Sequence, residues 1–158
     1  MSLTAAETHE VTKLETAHRK IYVLDTNVLS ELLRPSPEPA VLRWFEGRAE
    51  DSLFTTAISR GEMLYGAHIL PAGRRRDILL REIEAIFSTD LAGRVLPYDE
   101  AAADAHAQIA ARMRGRGLSS SLPDLMIAGI VQSLGAILAT RNTRDFNGCG
   151  ISLVDPWG

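Results

Sequence analysis

A chain of 158 residues is long enough for one domain with a sizeable core, and its 46% apolar content excludes a disordered chain. A net charge of −3 excludes a broadly basic nucleic-acid coat but leaves room for a local basic groove. Cys149 stands alone, which excludes an internal disulfide, and no apolar run approaches the length of a membrane span.

The first twenty residues lack the apolar centre of a signal peptide, so a cytoplasmic protein is expected. Residues 1–19 are polar and without strong periodicity. They are expected to form a flexible extension ahead of a single domain over 20–158. No lysine follows Lys20, so the positive charge of the domain is carried by arginine, whose planar fork suits phosphate and carboxylate.

Strand and helix signals then alternate. Residues 20–24 read as a short buried strand that runs into Asp25. Residues 28–33 read as a helix closed by Arg34 and Pro35, and 37–46 as a second, with Val41, Leu42, Trp44 and Phe45 on its apolar side. A strand is expected at 52–55 and a helix at 59–67. The stretch 74–88 carries a helical stripe of Leu79, Leu80, Ile83, Ile86 and Phe87. A strand at 94–97 leads to Asp99, which has the character of an N-cap for a long helix to about Arg114. After a Gly/Ser loop, 122–134 is a nearly all-apolar helix ended by Gly135. Strands at 136–140 and 151–154 complete the chain. This alternation predicts an α/β fold of three layers, with a mostly parallel central sheet of about five strands flanked by helices.

In such a sheet, ligands bind outside the carboxyl ends of the strands. Asp25 falls at that edge. Glu62 follows another strand, although Ser59 and Glu62 also match a capping box. Asp124 opens the apolar helix, where an acid also complements the helix dipole. Asn142 and Asp145 follow a strand, in a loop where an acid is ordinarily solvated. Taken together, these acids map to one edge, where they would repel one another unless a cation neutralised them. Carboxylate oxygens select Mg²⁺ or Mn²⁺ over zinc, and the four histidines are scattered. A carboxylate-held Mg²⁺ that keeps its waters can activate one and stabilise charge on a scissile phosphate. Asp104 lies mid-helix and is set aside as a surface acid.

The ordered set LDTNVLSE (24–31), GEMLYG (61–66), PDLMIAG (123–129), ATRNTRDF (139–146) and VDPW (154–157) resembles the PIN-domain toxins of type II toxin–antitoxin pairs, the VapC family and its FitB-like branch. The resemblance runs from about residue 21 to the end. It implies a Mg²⁺-dependent endoribonuclease, with Mn²⁺ able to substitute, that acts on RNA of the tRNA or rRNA class. It also implies a homodimer held in check by a VapB-like antitoxin, in a larger assembly. Carried over by motif, Asp25, Glu62 and Asp124 are metal ligands. Some relatives have an acid where this chain has Asn142, so either Asn142 or Asp145 fills the fourth position. Thr140 is expected to support Asp25, and Thr26 and Asn27 to shape the first turn. The expected reaction is in-line attack of hydroxide on RNA phosphorus, leaving a 5′-phosphate.

The acids would repel RNA, so arginines outside the cluster are expected to hold its backbone. Arg74, Arg75 and Arg76 form one run, and Arg112, Arg114 and Arg116 another; both also read as solvated helix faces. Two rivals remain. A haloacid-dehalogenase-like phosphatase needs a second acid where this chain has Asn27. A catalytically silent PIN-like module acting through a protein partner would keep the fold without the chemistry.

Overall fold

The computed structural model describes residues 20–158. The extension expected over 1–19 lies outside them, as do His9 and His18. Five strands, β1 (Tyr22–Leu24), β2 (Leu53–Thr56), β3 (Val95–Leu96), β4 (Ile137–Ala139) and β5 (Ser152–Val154), form one sheet in the order β3-β2-β1-β4-β5. Every pairing is parallel, with Tyr22 opposite both Leu53 and Ile137, Thr55 opposite Val95, and Ile137 opposite Ser152. The chain leaves β1 toward β2 and β3 on one side and returns to β4 and β5 on the other. The order therefore reverses between β1 and β4, where a parallel sheet opens a crevice at its carboxyl edge.

Successive side chains of a strand point to opposite faces, and β1 and β4 use both. Leu24 and Ala139 enter a core with Leu29, Trp44, Met63 and Ile83. Val23 and Leu138 enter a second core with Ile109, Ile127, Val131 and Phe146. The first core is covered by α1 (Thr26–Leu32), α2 (Pro39–Glu46), α3 (Ala57–His68) and α4 (Arg74–Ala85). The second is covered by α5 (Glu100–Gly115), α6 (Leu122–Leu134) and the short α7 (Thr143–Phe146). These are the three layers expected from the alternating pattern.

Asp99 caps α5 through a 2.9 Å bond from the Ala102 amide, and Gly135 ends α6 in the left-handed region at φ 59°. Within α6, Ile127 through Val131 are all buried. At Gly129, a Cβ would lie 2.4 Å from the Ala102 carbonyl oxygen, so glycine sets how closely α5 and α6 approach. Three local expectations change. The helix expected at 59–67 starts at Ala57, because Thr56 is its N-cap and accepts from the Ser59 amide at 3.0 Å. The helix expected at 74–88 widens into a π-turn over Ile86–Asp90, which buries Ile86 and Phe87 together. The loop after β4 contains α7, whose single turn is too short to show a period.

Candidate active site

Asp25 is only 6% exposed, and its position follows from the backbone. Its amide donates to the Ala139 carbonyl at 2.9 Å, which carries the β1–β4 ladder one residue past the strand. Its side chain then caps α1, with Oδ1 accepting from the Thr26 amide at 2.8 Å. Oδ2 accepts from the Thr140 hydroxyl at 2.7 Å and from Asn27 Nδ2 at 3.3 Å. The Thr140 hydroxyl, itself fully buried, also accepts from the Asn142 amide at 3.0 Å and from Asn27 Nδ2 at 3.3 Å. The other end of the Asn27 amide accepts from the Arg141 backbone N–H at 3.1 Å. One network thus joins the ends of β1 and β4 at the reversal point.

Glu62 lies in the second turn of α3, and Thr26 donates to its Oε1 at 3.3 Å. The capping-box alternative fails here, since Thr56 rather than Ser59 opens that helix. Asp124 is in the first turn of α6, where its amide donates to Ser121 at 3.3 Å. All three acids line one cleft of about 580 Å³. Burial pushes the Asp25 carboxyl above the usual range against the pull of its hydrogen bonds, and the Asp145 charge pushes the same way. Partial withdrawal from water raises Glu62, with Asp25 and then Asp124 adding repulsion. Asp124 is raised chiefly by burial, and also by Asp25 and Asp145. The acids therefore sense one another's charge.

Asn142 lines the cleft, whereas Asp145 is exposed on α7 and acts on the site through its field. None of the six arginines of the two runs lines it. Arg74 and Arg75 border a groove with Leu33, Pro35 and Ile78, and Arg76 is half-buried. Arg112 donates to the Cys149 carbonyl at 2.9 Å, Arg114 lies beside Leu118, and Arg116 is the C-cap of α5. Asp104 is exposed on α5, and His106 meets the Tyr98 hydroxyl at 2.7 Å away from the cleft.

Five further residues line the cleft: Ser30, Glu31, Arg34, Arg141 and Trp157. Glu31 is 6% exposed and accepts from the Glu38 amide at 2.9 Å and from Arg34 at 3.3 Å. The Glu38 bond, then Arg34 and Arg141, hold its carboxyl below the usual range. A sequence signal for it exists: Glu31 sits three residues after Val28, on the apolar face of α1.

All the acidic donors are carboxylate oxygens of the kind Mg²⁺ and Mn²⁺ prefer. Their mutually raised pKa values are those of groups that a cation would neutralise. Among the described residues, no three His, Cys, Asp or Glu side chains are close enough to encircle a metal ion as they stand. The donor set fits such an ion in chemistry, and the Glu62 and Asp124 side chains, neither of them buried, both line the open cleft.

Residues 22–148 match the PIN domain family. Over 135 residues, 85% of this chain and 96% of the relative, the chain is 37% identical to VapC ribonuclease Y4jK of Sinorhizobium fredii. It is 32% identical to Toxin FitB of Neisseria gonorrhoeae over 135 residues, 85% of this chain and 97% of FitB. The crystal structure of FitAcB from Neisseria gonorrhoeae matches it with a TM-score of 0.80 at 31% identity, over 87% of this chain and 99% of that one. The chain belongs to the PIN-domain family, within its VapC- and FitB-like branch of toxin–antitoxin nuclease toxins.

Proposed function

We propose that this chain is a divalent-metal-dependent endoribonuclease that hydrolyses phosphodiester bonds in RNA of the tRNA or rRNA class, acts in the cytoplasm, and is neutralised by a VapB-like antitoxin. The observation that carries this reading is the convergence of three acids with raised pKa values, Asp25, Glu62 and Asp124, on one cleft at the reversal point of the sheet. These three would hold Mg²⁺ or Mn²⁺. When bound, the ion offsets their charge, polarises the scissile phosphate and acidifies a water.

The other residues position these three. Thr140 and Asn27 fix both the place and the rotamer of Asp25. Thr26 orients Glu62. Asn142 lines the cleft and Asp145 does not, which favours Asn142 in the fourth position, as an amide without charge. The cleft holds four carboxylates (Asp25, Glu31, Glu62 and Asp124) and two guanidiniums (Arg34 and Arg141). Their formal sum is −2, which matches one divalent ion rather than two. Hydrolysis forms a bond from a water oxygen to phosphorus and breaks the P–O3′ bond, leaving a 3′-hydroxyl and a 5′-phosphate.

Two adjoining apolar depressions, sharing Leu33 and Glu82, run along α1 and α4 and suit the antitoxin. The one lined by Leu24, Leu29 and Phe45 is about 470 Å³, and Glu50, Glu82 and Asp90 outnumber Arg94 among its charged groups. That depression suits an apolar segment with a basic flank, whereas Arg74 and Arg75 border the adjoining one. A homodimer is the expected building block.

The test is cleavage of a tRNA transcript by the purified chain, free of antitoxin, in Mg²⁺, Mn²⁺ or EDTA, with Asp124→Asn alongside. Cleavage should need the metal and fall at least about 100-fold in the variant. Folded wild type that neither cleaves tRNA or rRNA nor binds Mn²⁺ in calorimetry would leave the silent binding module as the better account.

A further inference from the structure

We propose that Arg34 and Arg141 form a phosphate clamp on the wall of the acid cleft, gripping the RNA backbone at a phosphate next to the one being cleaved. The proposal rests on the nuclease reading and assigns the groups that hold the substrate against an otherwise acidic surface. Both arginines line the same cleft as Asp25, Glu62 and Asp124.

Each is fixed by a different partner. The Arg34 side chain is 63% exposed, yet its Nη1 sits 3.3 Å from both oxygens of the buried Glu31. Glu31 in turn is anchored by the Glu38 amide at the start of α2. Among the described residues only Nη1 is engaged, which leaves the remaining N–H donors of the fork for a ligand. The Arg141 guanidinium lies 4.9 Å from the centre of the Trp157 ring. A guanidinium held over a ring by cation–π attraction keeps its N–H donors for other partners, and a pair of them can bind phosphate in bidentate fashion. The backbone of Arg141 is bonded to Asn27, whose amide also holds Asp25. The cation and the first acid are thereby held in one frame.

The chemistry of the two sites differs in a useful way. Glu31 offsets much of the Arg34 charge, so Arg34 supplies geometry more than field. Among the described residues, Arg141 makes no ion pair, so its charge is available to an incoming anion. The six arginines of the two sequence runs have no such relation to the acids, since none lines the cleft.

The experiment measures Mn²⁺-dependent cleavage of a fluorescein-labelled tRNA transcript by the full chain over a salt series. The variants are Arg141→Gln, Arg141→Lys, Arg34→Gln and, as a control, the exposed Arg43→Gln. Arg141→Gln should raise KM about tenfold with kcat within about threefold, and flatten the log–log salt dependence of kcat/KM by about one. Arg141→Lys should keep the salt dependence of wild type while losing part of the affinity. Arg34→Gln should raise KM with a smaller salt effect, and Arg43→Gln should behave as wild type. Calorimetric Mn²⁺ binding should be the same in all of them. Wild-type KM and salt dependence in Arg141→Gln would overturn the clamp while leaving the nuclease standing; so would a loss confined to kcat. A wild-type chain that binds Mn²⁺ but cleaves no RNA would overturn the nuclease reading, and the clamp with it.

Discussion

Thr140 is a fully buried hydroxyl on which three polar groups converge, and it shows how one side chain can hold a charged site in place. It donates to Asp25 and accepts from Asn27 and the Asn142 amide. Thr140→Val keeps the shape and removes every one of these bonds. A hydrogen bond to a charged group is worth about 1.5–3 kcal/mol, and the variant should lose stability on that order in denaturant melts. It should also lose about 10–100-fold in nuclease activity, as when a partner that orients a metal ligand is removed. The Thr140 bond lowers the Asp25 pKa, so without it that pKa rises further and the acid limb of the pH–rate profile should move to higher pH. An unmoved acid limb with full activity would mean that Asp25 does not depend on Thr140. At this scale, Asp25 and Asp124 were legible because strand ends and helix starts are visible as patterns. Arg141 and Trp157 were not, because a stack between residues sixteen apart in different loops leaves no spacing to read.

Helices and strands here are placed by capping and close approach more than by propensity. Asp25 and Thr56 each end a strand and open a helix, and so fix where α1 and α3 emerge at the sheet edge. The turn from Ser59 to Glu62 resembled a capping box because the motif is local, whereas the true cap three residues earlier is set by the end of β2. The π-turn after α4 escaped the periodicity for a related reason: its stripe continues, and only the hydrogen-bond spacing changes. The approach of α5 and α6 depends on Gly129, where a methyl group would meet the Ala102 carbonyl oxygen and the His106 Cβ. Gly129→Ala should therefore destabilise the domain by about 1–3 kcal/mol, although alanine is the better helix former. At about 2–4 °C per kcal/mol for a domain of this size, melting should fall by several degrees. An unchanged or higher melting temperature would show that the two helices have slack. Because Asp124 rides on α6, nuclease activity should fall as well.

The whole domain carries an electrostatic load in its cleft. Folded-state pKa values raised at Asp25, Glu62 and Asp124 mean that the native protein binds protons more tightly there than the unfolded chain. Stability contributed by these groups therefore falls as pH rises through and above the ordinary carboxylate range. Glu31 acts in the opposite sense: its lowered pKa gives stability at neutral pH that is lost on strong acidification. In EDTA at pH 7.5, Asp124→Asn should melt above wild type by about 2 °C, with the gap narrowing toward pH 5. Mn²⁺ at 100 times its dissociation constant should stabilise wild type by about 2.7 kcal/mol and reverse the order. A variant that melts below wild type in EDTA at neutral pH would remove the repulsion argument. The parallel three-layer fold was legible from alternating elements alone. The cleft's charge balance was not, since it depends on Glu31 and Arg34 sharing a cleft with Glu62 and Asp124, which arrive from two other parts of the chain.

The bond between Thr140 and Asp25 spans 115 residues. A ribosome emits the first acid roughly 6–23 s before its hydroxyl partner, at about 5–20 residues per second. Until β4 has joined β1, the nascent chain has the first acid but no frame to hold it. The acid cleft is thus incomplete until Thr140 has emerged. The topology acts as a timer for assembly of the acid cleft.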